Sequence, residues 1–336
     1  MRALVCLAAL AAAAFATGAQ AATTYPLMIE NCGQTITFDR APATTVSLGQ
    51  AATEILYSLG LGGKVAGTGV WFSEVLPEFV ELNAKVERLA DNDPSLESIV
   101  AKRPDLVTVQ YEWHVGPQGI VGTREQFHDL GIRTYILPTD CVGKDNSKGS
   151  DGTRIEPFTT ETLYETITEL ATIFDVQDAG NALVADLRAR EAAAKERVAA
   201  MQIDDIAAVF WFSSPEIDLD PYVAGQKGAP GYIMRTLGVR NVVESDEEWP
   251  TVGWETIAKA EPTVIVAAEM TRRRFEADDI EKKRAFLASD PVASQMEAAR
   301  LNRIVVMTSD AMEPSIRVIS GIEQVADALT AYGLAK

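Results

Sequence analysis

The sequence is short of histidine, of cysteine and of positive charge. Its 336 residues include 2 His and 3 Cys, and 30 Lys and Arg stand against 48 Asp and Glu, a formal net charge of −18. Zinc and manganese sites usually draw on several imidazole or thiolate ligands, so we expect no directly bound transition metal. An acidic chain without a basic arm is repelled by nucleic acid. We therefore expect no nucleic-acid partner and no resident cofactor.

Catalytic signatures and long apolar runs are missing as well. The chain has no Gly-x-Ser-x-Gly, Walker or His-Glu-x-x-His motif and no EF-hand spacing. These absences argue against the common hydrolase, nucleotide-binding and metalloprotease classes, and we expect no catalytic residues. The apolar run at residues 4–15 is shorter than the roughly 20 residues that a membrane span needs.

The first 21 residues have the pattern of a cleavable export signal. Arg2 supplies a positive charge, the run at 4–15 is rich in Ala and Leu, and Ala19 and Ala21 are the small residues that a signal peptidase requires. A membrane anchor is the alternative, and no Cys lies at the cleavage region to carry a lipid. We predict a signal peptide at 1–21 and a soluble periplasmic mature protein.

Cys6 lies in the predicted signal, so Cys32 and Cys141 remain in the mature chain. In an oxidising compartment this even number predicts a disulfide, which would close a loop of roughly 100 residues. Two unpaired, buried thiols are the alternative. Neither Cys has a CxxC spacing or a His neighbour, and we therefore assign both a structural role.

Short β-branched runs alternate with helical patterns, which is typical of α/β folds with mainly parallel strands. The predicted strands lie at 45–48, 64–67, 105–109, 133–137, 207–212, 241–243, 263–267 and 303–307. The segments LESIVAKRPDLV (96–107) and WETIAKAEPTVI (254–265) also align without a gap. This internal repeat favours two similar lobes over one continuous sheet.

A helix-rich stretch separates the two lobes. Residues 160–174 carry apolar side chains at helical spacing, and 178–201 contains strong helix formers with Glu191 and Lys195 four residues apart. A helix of about 24 residues is roughly 36 Å long, enough to pass from one lobe to the other; a surface helix over one sheet is the alternative. We predict two similar Rossmann-like α/β lobes with mainly parallel sheets, at 22–158 and 204–336, bridged by one long α-helix within a connector at 159–203.

Aromatic residues gather at predicted strand ends and in loops of both halves. The carboxyl ends of parallel strands form the binding crevice of α/β folds, and flat rings there suit a ligand with a broad apolar face. We predict ligand contacts, with core packing as the alternative, for Trp71, Tyr111, Trp113, His114, Trp211, Tyr222 and Trp249. Phe72 and Phe212 accompany them, whereas the place of Trp254 in the repeat favours the core.

Three consecutive arginines, Arg272, Arg273 and Arg274, follow the strand predicted at 263–267. Adjacent guanidinium groups repel one another, so an anionic ligand would relieve them, and their forked donors match carboxylates. Local pairing with the acidic residues just downstream is the alternative. Arg317, which opens the last predicted helix, is a further candidate for the same crevice.

Several segments together resemble a known family over nearly all of the mature chain. They are VSLGQAATEIL (46–56), LESIVAKRPDLV (96–107), FLASDP (286–291), NRIVV (302–306) and NCG (31–33) with the later Cys141. In this order they resemble the periplasmic substrate-binding proteins of ABC importers for ferric siderophores, haem and vitamin B12. The Cys-bearing segments resemble the branch that handles iron chelates.

The resemblance implies two α/β lobes joined by one rigid helix, a ligand held between them, a monomer, and an ABC permease as partner. In the family the permease docks through a surface Glu on each lobe. Glu54 matches that position in the first lobe, while Arg235 stands at the corresponding place in the second. The shortage of His fits iron that arrives already chelated, and the arginines favour a carboxylate-type ferric siderophore.

Other functions stay open at this point. Haem or a corrinoid is one alternative, and haem would favour Tyr111 or His114 as axial ligand. An exported enzyme on the same fold would use crevice carboxylates such as Glu112 or Glu269 as acid and base. A sensor or scaffold would present the liganded surface to a receptor.

Overall fold

The structure, a computed structural model, describes residues 22–147, 151–202 and 205–334. The predicted signal peptide at 1–21 lies outside these residues. Within the described ranges, no helix combines the length and the apolar character needed to cross a bilayer.

The first lobe alternates strands with short helices around one parallel sheet. Its elements are β1 (Leu27–Asn31), β2 (Gln34–Phe38), β3 (Thr45–Leu48), α1 (Gln50–Ser58), β4 (Val65–Gly69), α2 (Val80–Asn83), β5 (Arg88–Ala90), α3 (Leu96–Val100), β6 (Leu106–Val109), α4 (Arg124–Asp129), β7 (Arg133–Ile136), β8 (Lys144–Asp145) and β9 (Thr153–Arg154). The sheet has the order β5-β4-β3-β6-β7, while β1 pairs with β2 and β8 with β9 in antiparallel hairpins. The four strands predicted in this half correspond to β3, β4, β6 and β7.

Two helices connect the lobes, α5 (Thr160–Ile173) and α6 (Gln177–Ala199). The connector is tied to the first lobe where the Tyr135 hydroxyl of β7 donates to Glu169 of α5 at 2.6 Å. Glu191 of α6 is buried and accepts hydrogen bonds from Tyr164 of α5 at 2.6 Å and from Tyr232, which belongs to the second lobe. The long bridging helix predicted from the sequence is therefore present.

The second lobe repeats the arrangement of the first. Its elements are β10 (Ala207–Ser213), β11 (Tyr222–Val223), α7 (Ala229–Leu237), β12 (Arg240–Asn241), α8 (Trp254–Lys259), β13 (Val264–Glu269), α9 (Ile280–Ser289), α10 (Glu297–Arg300), β14 (Ile304–Thr308) and α11 (Val318–Ala331). The parallel strands follow the order β12-β10-β13-β14, equivalent to β4-β3-β6-β7, and β11 pairs antiparallel with β10. The repeated segments form α3–β6 and α8–β13, so the predicted pair of α/β lobes is confirmed.

A disulfide joins Cys32, which directly follows β1, to Cys141 in the loop after β7. The two Cα atoms lie 5.7 Å apart, and the predicted pairing is confirmed. Beside it the Asn31 side chain donates to the Ile136 carbonyl at 2.7 Å and accepts from the Ile136 amide at 2.9 Å. The bridge therefore holds the N-terminal hairpin against the edge strand of the first sheet.

Candidate functional site

A cavity of about 560 Å³ lies between the two lobes. Its walls contain aromatic rings, arginines and carboxylates from both halves of the chain. The lining residues are Val70, Phe72, Asp93, Tyr111, Trp113, His114, Gln118, Ile120, Asn146, Ser147, Asp151, Gly152, Phe212, Ser213, Tyr222, Trp249, Arg272, Arg274, Phe275 and Glu313.

The parallel sheets position these side chains at the ends of their strands. Phe72 follows β4, Tyr111 follows β6, Phe212 belongs to the end of β10, and Glu313 follows β14. Parallel strands within one sheet end at a common edge, where the loops that leave them form a crevice. The cavity therefore lies where the alternating α/β pattern predicts it.

Five of the predicted aromatic contacts line the cavity: Tyr111, Trp113, His114, Tyr222 and Trp249. The rings of Tyr111 and Trp113 are stacked, with centroids 4.6 Å apart and an interplanar angle of 4°. Across the cleft, the rings of Phe212 and Trp249 lie 4.5 Å apart. Each lobe thus presents a pair of flat rings to the space between them.

Two of the predicted tryptophan contacts, Trp71 and Trp211, are packed in the interior instead. The Trp71 indole is buried and donates from Nε1 to the Thr68 hydroxyl at 3.1 Å. Trp211 is fully buried and packs edge-on against Trp254 at 4.8 Å, in the core where the repeat predicted Trp254. The assignment of Trp71 and Trp211 to the ligand site is wrong in this structure.

Side-chain alternation is the physical reason for this one-residue error. Successive side chains along extended backbone point to opposite sides, so neighbours of a cavity residue face the core. Phe72 and Phe212, each next in sequence to one of the two tryptophans, line the cavity in their place. In β10 this alternation was the signal that could have identified Phe212, whereas Phe72 lies beyond the end of β4.

The arginine triplet divides in the same way. Arg272 and Arg274 line the cavity, and the Arg272 guanidinium lies 4.1 Å from the centroid of the Phe72 ring. The backbone amide of Arg272 donates to the Phe72 carbonyl at 3.2 Å, so the two lobes are in contact at this edge of the cavity. Arg273 turns away, pairs with Asp279 at 3.3 Å and does not line the cavity. Local pairing, the alternative for the whole triplet, therefore applies to Arg273.

Glu54 and Arg317 form a buried ion pair with each other. Glu54 is 0% exposed, and the Arg317 Nε donates to its Oε2 at 2.8 Å. Arg317 also donates from Nη2 to the Glu74 carbonyl at 2.7 Å, so that α1 of the first lobe is joined to the start of α11 in the second. Arg317 does not line the cavity, which contradicts its predicted role in ligand binding.

The docking role expected for Glu54 stays a prediction, and this ion pair argues against it. A carboxylate that has no exposed surface and already pairs with a guanidinium is not accessible to an arginine of another protein. In the second lobe Arg235 is exposed and donates to the carbonyls of Gln226 at 2.7 Å and Phe158 at 3.2 Å.

His114 and Tyr111 lie at the base of the first-lobe wall, and both are buried. The ring nitrogens of His114 have separate partners: Nε2 lies 2.9 Å from an Asp93 carboxylate oxygen and Nδ1 lies 3.2 Å from the Tyr111 carbonyl. The hydrogen bond with His114 lowers the pKa of Asp93. Burial raises the pKa of the Tyr111 hydroxyl well above its ordinary value, and the nearby Glu313 carboxylate adds to the rise.

A cluster of charged side chains, most of them buried, includes the cavity-lining residue Asp151. Lys144 pairs with Asp140 at 2.7 Å, and Arg154 pairs with Glu248 at 2.6 Å. Asp151 lies 3.6 Å from the Lys144 ammonium group. This cluster was not predicted, because its members come from a short hairpin and two loops whose meeting depends on how the lobes pack.

Lys283 forms hydrogen bonds to the backbone of two strands of the second lobe. Its side chain is fully buried, and the Nζ donates to the carbonyls of Phe212 and Ala268 at 2.6 Å each. These carbonyls belong to β10 and β13, so the lysine holds the backbone of the cavity wall in place. Burial lowers the pKa of Lys283 to about 7.

Comparison with known proteins agrees with this architecture. The model of a family described as periplasmic binding protein matches residues 45–311. An uncharacterized ABC transporter substrate-binding lipoprotein of Bacillus subtilis (strain 168), YvrC, is 24% identical over 307 residues, which cover 91% of this chain and 86% of that protein.

Solved structures are similar over most of the chain. A periplasmic binding protein from Veillonella parvula superposes with a TM-score of 0.74 at 21% identity, covering 91% of this chain and 97% of that one. An ABC-type Fe3+-hydroxamate transport system from Saccharomonospora viridis gives 0.72 at 26%, covering 91% and 99%. A periplasmic heme binding protein from Pseudomonas aeruginosa gives 0.68 at 20%, covering 88% and 94%. These similarities show the shared fold.

Proposed function

The chain belongs to the periplasmic binding protein family, and from that premise we propose that it captures a ferric siderophore between its lobes and delivers it to an ABC permease. The cavity between the lobes carries this proposal, because it combines facing aromatic pairs with two arginines in a volume of about 560 Å³. Ligand pockets of this size are typical for small molecules with an extended apolar face.

The names of similar proteins support transport as the role. The Bacillus subtilis relative is named as an ABC transporter substrate-binding lipoprotein, and the Saccharomonospora viridis structure as part of Fe3+-hydroxamate transport. In such a role the lobes hold the cargo outside the cytoplasmic membrane without changing it chemically. Iron enclosed in a chelate needs few protein ligands, which fits a chain with two histidines.

The two cavity arginines favour a chelate with carboxylate groups. The Nε of Arg272 is buried and has no hydrogen-bond partner among the described residues. A guanidinium with free donors recognises a carboxylate through two parallel hydrogen bonds. The stacked rings of Tyr111 and Trp113 would cover the apolar face of the same ligand.

Haem receives less support from the geometry. Both ring nitrogens of His114 already face protein oxygens, so neither is free to reach an iron atom. Burial and nearby carboxylates raise the pKa of Tyr111, which opposes the phenolate form that binds ferric haem. The enzyme alternative also loses its candidate residues, because Glu112 and Glu269 do not line the cavity.

Titration of the purified mature protein tests the proposal. Ferric citrate, a set of ferric siderophores, haemin and cobalamin are added in turn while Trp fluorescence is followed, with an absorbance control. We expect saturable quenching by one ferric siderophore at one equivalent and recovery of that chelate unchanged. Exclusive binding of haemin or cobalamin, or no response to any iron chelate, would contradict it.

The arginine triplet provides a matched pair of variants for the carboxylate preference. We expect Arg272→Met to weaken binding of an anionic chelate by about tenfold or more, since a charged hydrogen bond is lost. Arg273→Met is the control, because Arg273 pairs with Asp279 away from the cavity. Equal loss in both variants would argue against direct recognition by Arg272.

A further inference from the structure

One part of the cavity has more carboxyl groups than the described residues match with cations. Glu313 lines the cavity and is 3% exposed, yet its carboxylate makes no hydrogen bond and no ion pair within the described ranges. Buried carboxylates are normally paired, because a single buried charge is costly. An unpaired one that faces a cavity points to a partner supplied from outside.

The cations near Glu313 are already committed. Lys144 lies 2.7 Å from Asp140, and Arg154 lies 2.6 Å from Glu248. Asp151 also lines the cavity and shares Lys144 at the longer distance of 3.6 Å. Four carboxyl groups therefore face two cations, and Asp151 and Glu313 are the two that lack a close cationic partner among the described residues.

A phenolic hydroxyl, that of Tyr111, lies near the same two carboxyl groups. The Tyr111 hydroxyl belongs to a cavity-lining residue that is 3% exposed, and it has no hydrogen-bond partner among the described residues. Glu313 and Asp151 are the charged groups that act most strongly on it. Its ring is stacked on Trp113, so a π surface borders the negative charge.

We propose that Glu313, Asp151 and Tyr111 form an acidic pole that binds an organic ammonium group of the captured molecule. The carboxylates supply charge-assisted acceptors, and the rings of Tyr111 and Trp113 attract a cation through their faces. Arg272 and Arg274 would hold anionic groups of the same molecule, which gives the cargo both signs of charge. This inference rests on the proposed function for the identity of the cargo as a captured solute.

The environment of Glu313 fits this role. Burial raises the pKa of Glu313, and the neighbouring Asp151 and Glu248 carboxylates add to the rise. An ammonium group beside it would favour the ionised form and remove the penalty that an empty cavity leaves. The acidic pole is thus arranged for a ligand rather than for the stability of the unliganded protein.

An iron-free pair of probes tests the acidic pole. Dansylcadaverine carries an aromatic group and a primary ammonium group, and its N-acetyl derivative carries a neutral acetamide in place of the ammonium group. Both are titrated into the mature protein at pH 7.5 while dansyl fluorescence is followed. We expect the charged probe to bind about tenfold or more tightly than the acetylated one, since a charged hydrogen bond distinguishes them.

Variants locate the effect. Glu313→Gln should abolish most of the preference for the charged probe, whereas Glu216→Gln, at an exposed position of the same lobe without an ion pair in the described chain, should retain it. Asp151→Asn, expected to weaken the preference, provides a second variant if circular dichroism shows that Glu313→Gln does not fold. Equal affinities for the two probes, no saturable binding, or a preference unchanged in these variants would overturn the proposal.

The outcome is separable from the test of the proposed function. The probes contain no iron, so the difference in affinity between them can be measured even if no ferric chelate binds. Conversely, binding of a ferric siderophore without any preference between the two probes would support the function and reject the acidic pole.

Discussion

Trp113 and Trp249 are the tryptophans that line the cavity, whereas Trp254 is packed in the core of the second lobe. Indole fluorescence responds to a ligand at short range, so the signal of binding should come from the first two. We expect Trp113→Phe and Trp249→Phe each to reduce the amplitude of ligand-induced quenching. Trp254→Phe should leave that amplitude unchanged although it lowers the total emission. Quenching that is lost in Trp254→Phe but kept in the cavity variants would place the ligand elsewhere.

Asp310 is a second residue whose surroundings predict a measurable effect. It is 1% exposed, and neither carboxylate oxygen has a hydrogen-bond partner among the described residues. Burial raises its pKa from 3.8 to about 6, an effect that Arg317 opposes. Because the folded protein holds this proton more tightly than the unfolded chain, Asp310 destabilises the fold above about pH 6, and the penalty fades between pH 6 and about 4.

We therefore expect Asp310→Asn to raise the free energy of unfolding at pH 7.5. A shift of about two pKa units corresponds to at most about 3 kcal/mol, and we expect 1–3 kcal/mol. Urea denaturation at pH 7.5 and at pH 4.5 measures the difference, which should be largest at the higher pH. A variant that is less stable than the wild type at pH 7.5 would show that the carboxylate is satisfied in the folded protein.

The sequence predicted individual cavity residues less accurately than it predicted strands and helices. The pattern identified which strand ends carry the cavity, but it selected Trp71 and Trp211 rather than their neighbours Phe72 and Phe212. Residue size dominated that choice, while the direction of a side chain depends on the register of its strand. Glu313 lies just after a correctly predicted strand, yet its missing partner becomes visible only when both lobes are in place.

Among the elements, the disulfide has the clearest energetic consequence. It links Cys32 and Cys141, which are 109 residues apart, and so restricts the unfolded chain over a long loop. We expect the double variant Cys32→Ser, Cys141→Ser to lower the free energy of unfolding by about 2–4 kcal/mol. Guanidinium denaturation of the variant against the oxidised wild type measures this, with reduced wild type as control. Unchanged midpoints would mean that native packing alone orders this region.

Elements were predicted well where burial on both faces of a sheet leaves a continuous apolar run. Strand β3 was predicted with both its ends, at 45–48, and β13 within two residues. A strand of this kind can be identified from local composition alone, because a parallel strand that is buried on both faces carries apolar side chains on both. The hairpin β1–β2 was missed because its short strands carry exposed polar residues. The hairpin β8–β9 was missed because its two-residue strands are charged and polar, and it is held by contacts with the second lobe such as Arg154 with Glu248.

At the scale of the whole molecule, the ion pair between Glu54 and Arg317 joins the lobes at a buried point. We expect Glu54→Leu and Arg317→Met each to lower the free energy of unfolding by about 3–5 kcal/mol, because either change leaves one charge buried alone. The double variant should recover most of that loss. Urea denaturation measures all three proteins. Single variants as stable as the wild type would show that Glu54 is accessible to water and free to meet a partner protein.

The central proposal is that the cleft between the lobes binds one iron chelate. Native mass spectrometry of the mature protein, isolated under non-denaturing conditions from iron-limited cells that produce it, tests this most directly. We expect one equivalent of an iron-containing molecule, which dissociates intact on denaturation and carries carboxylate groups. Recovery of a single bound molecule without iron, or of haem, would contradict this proposal.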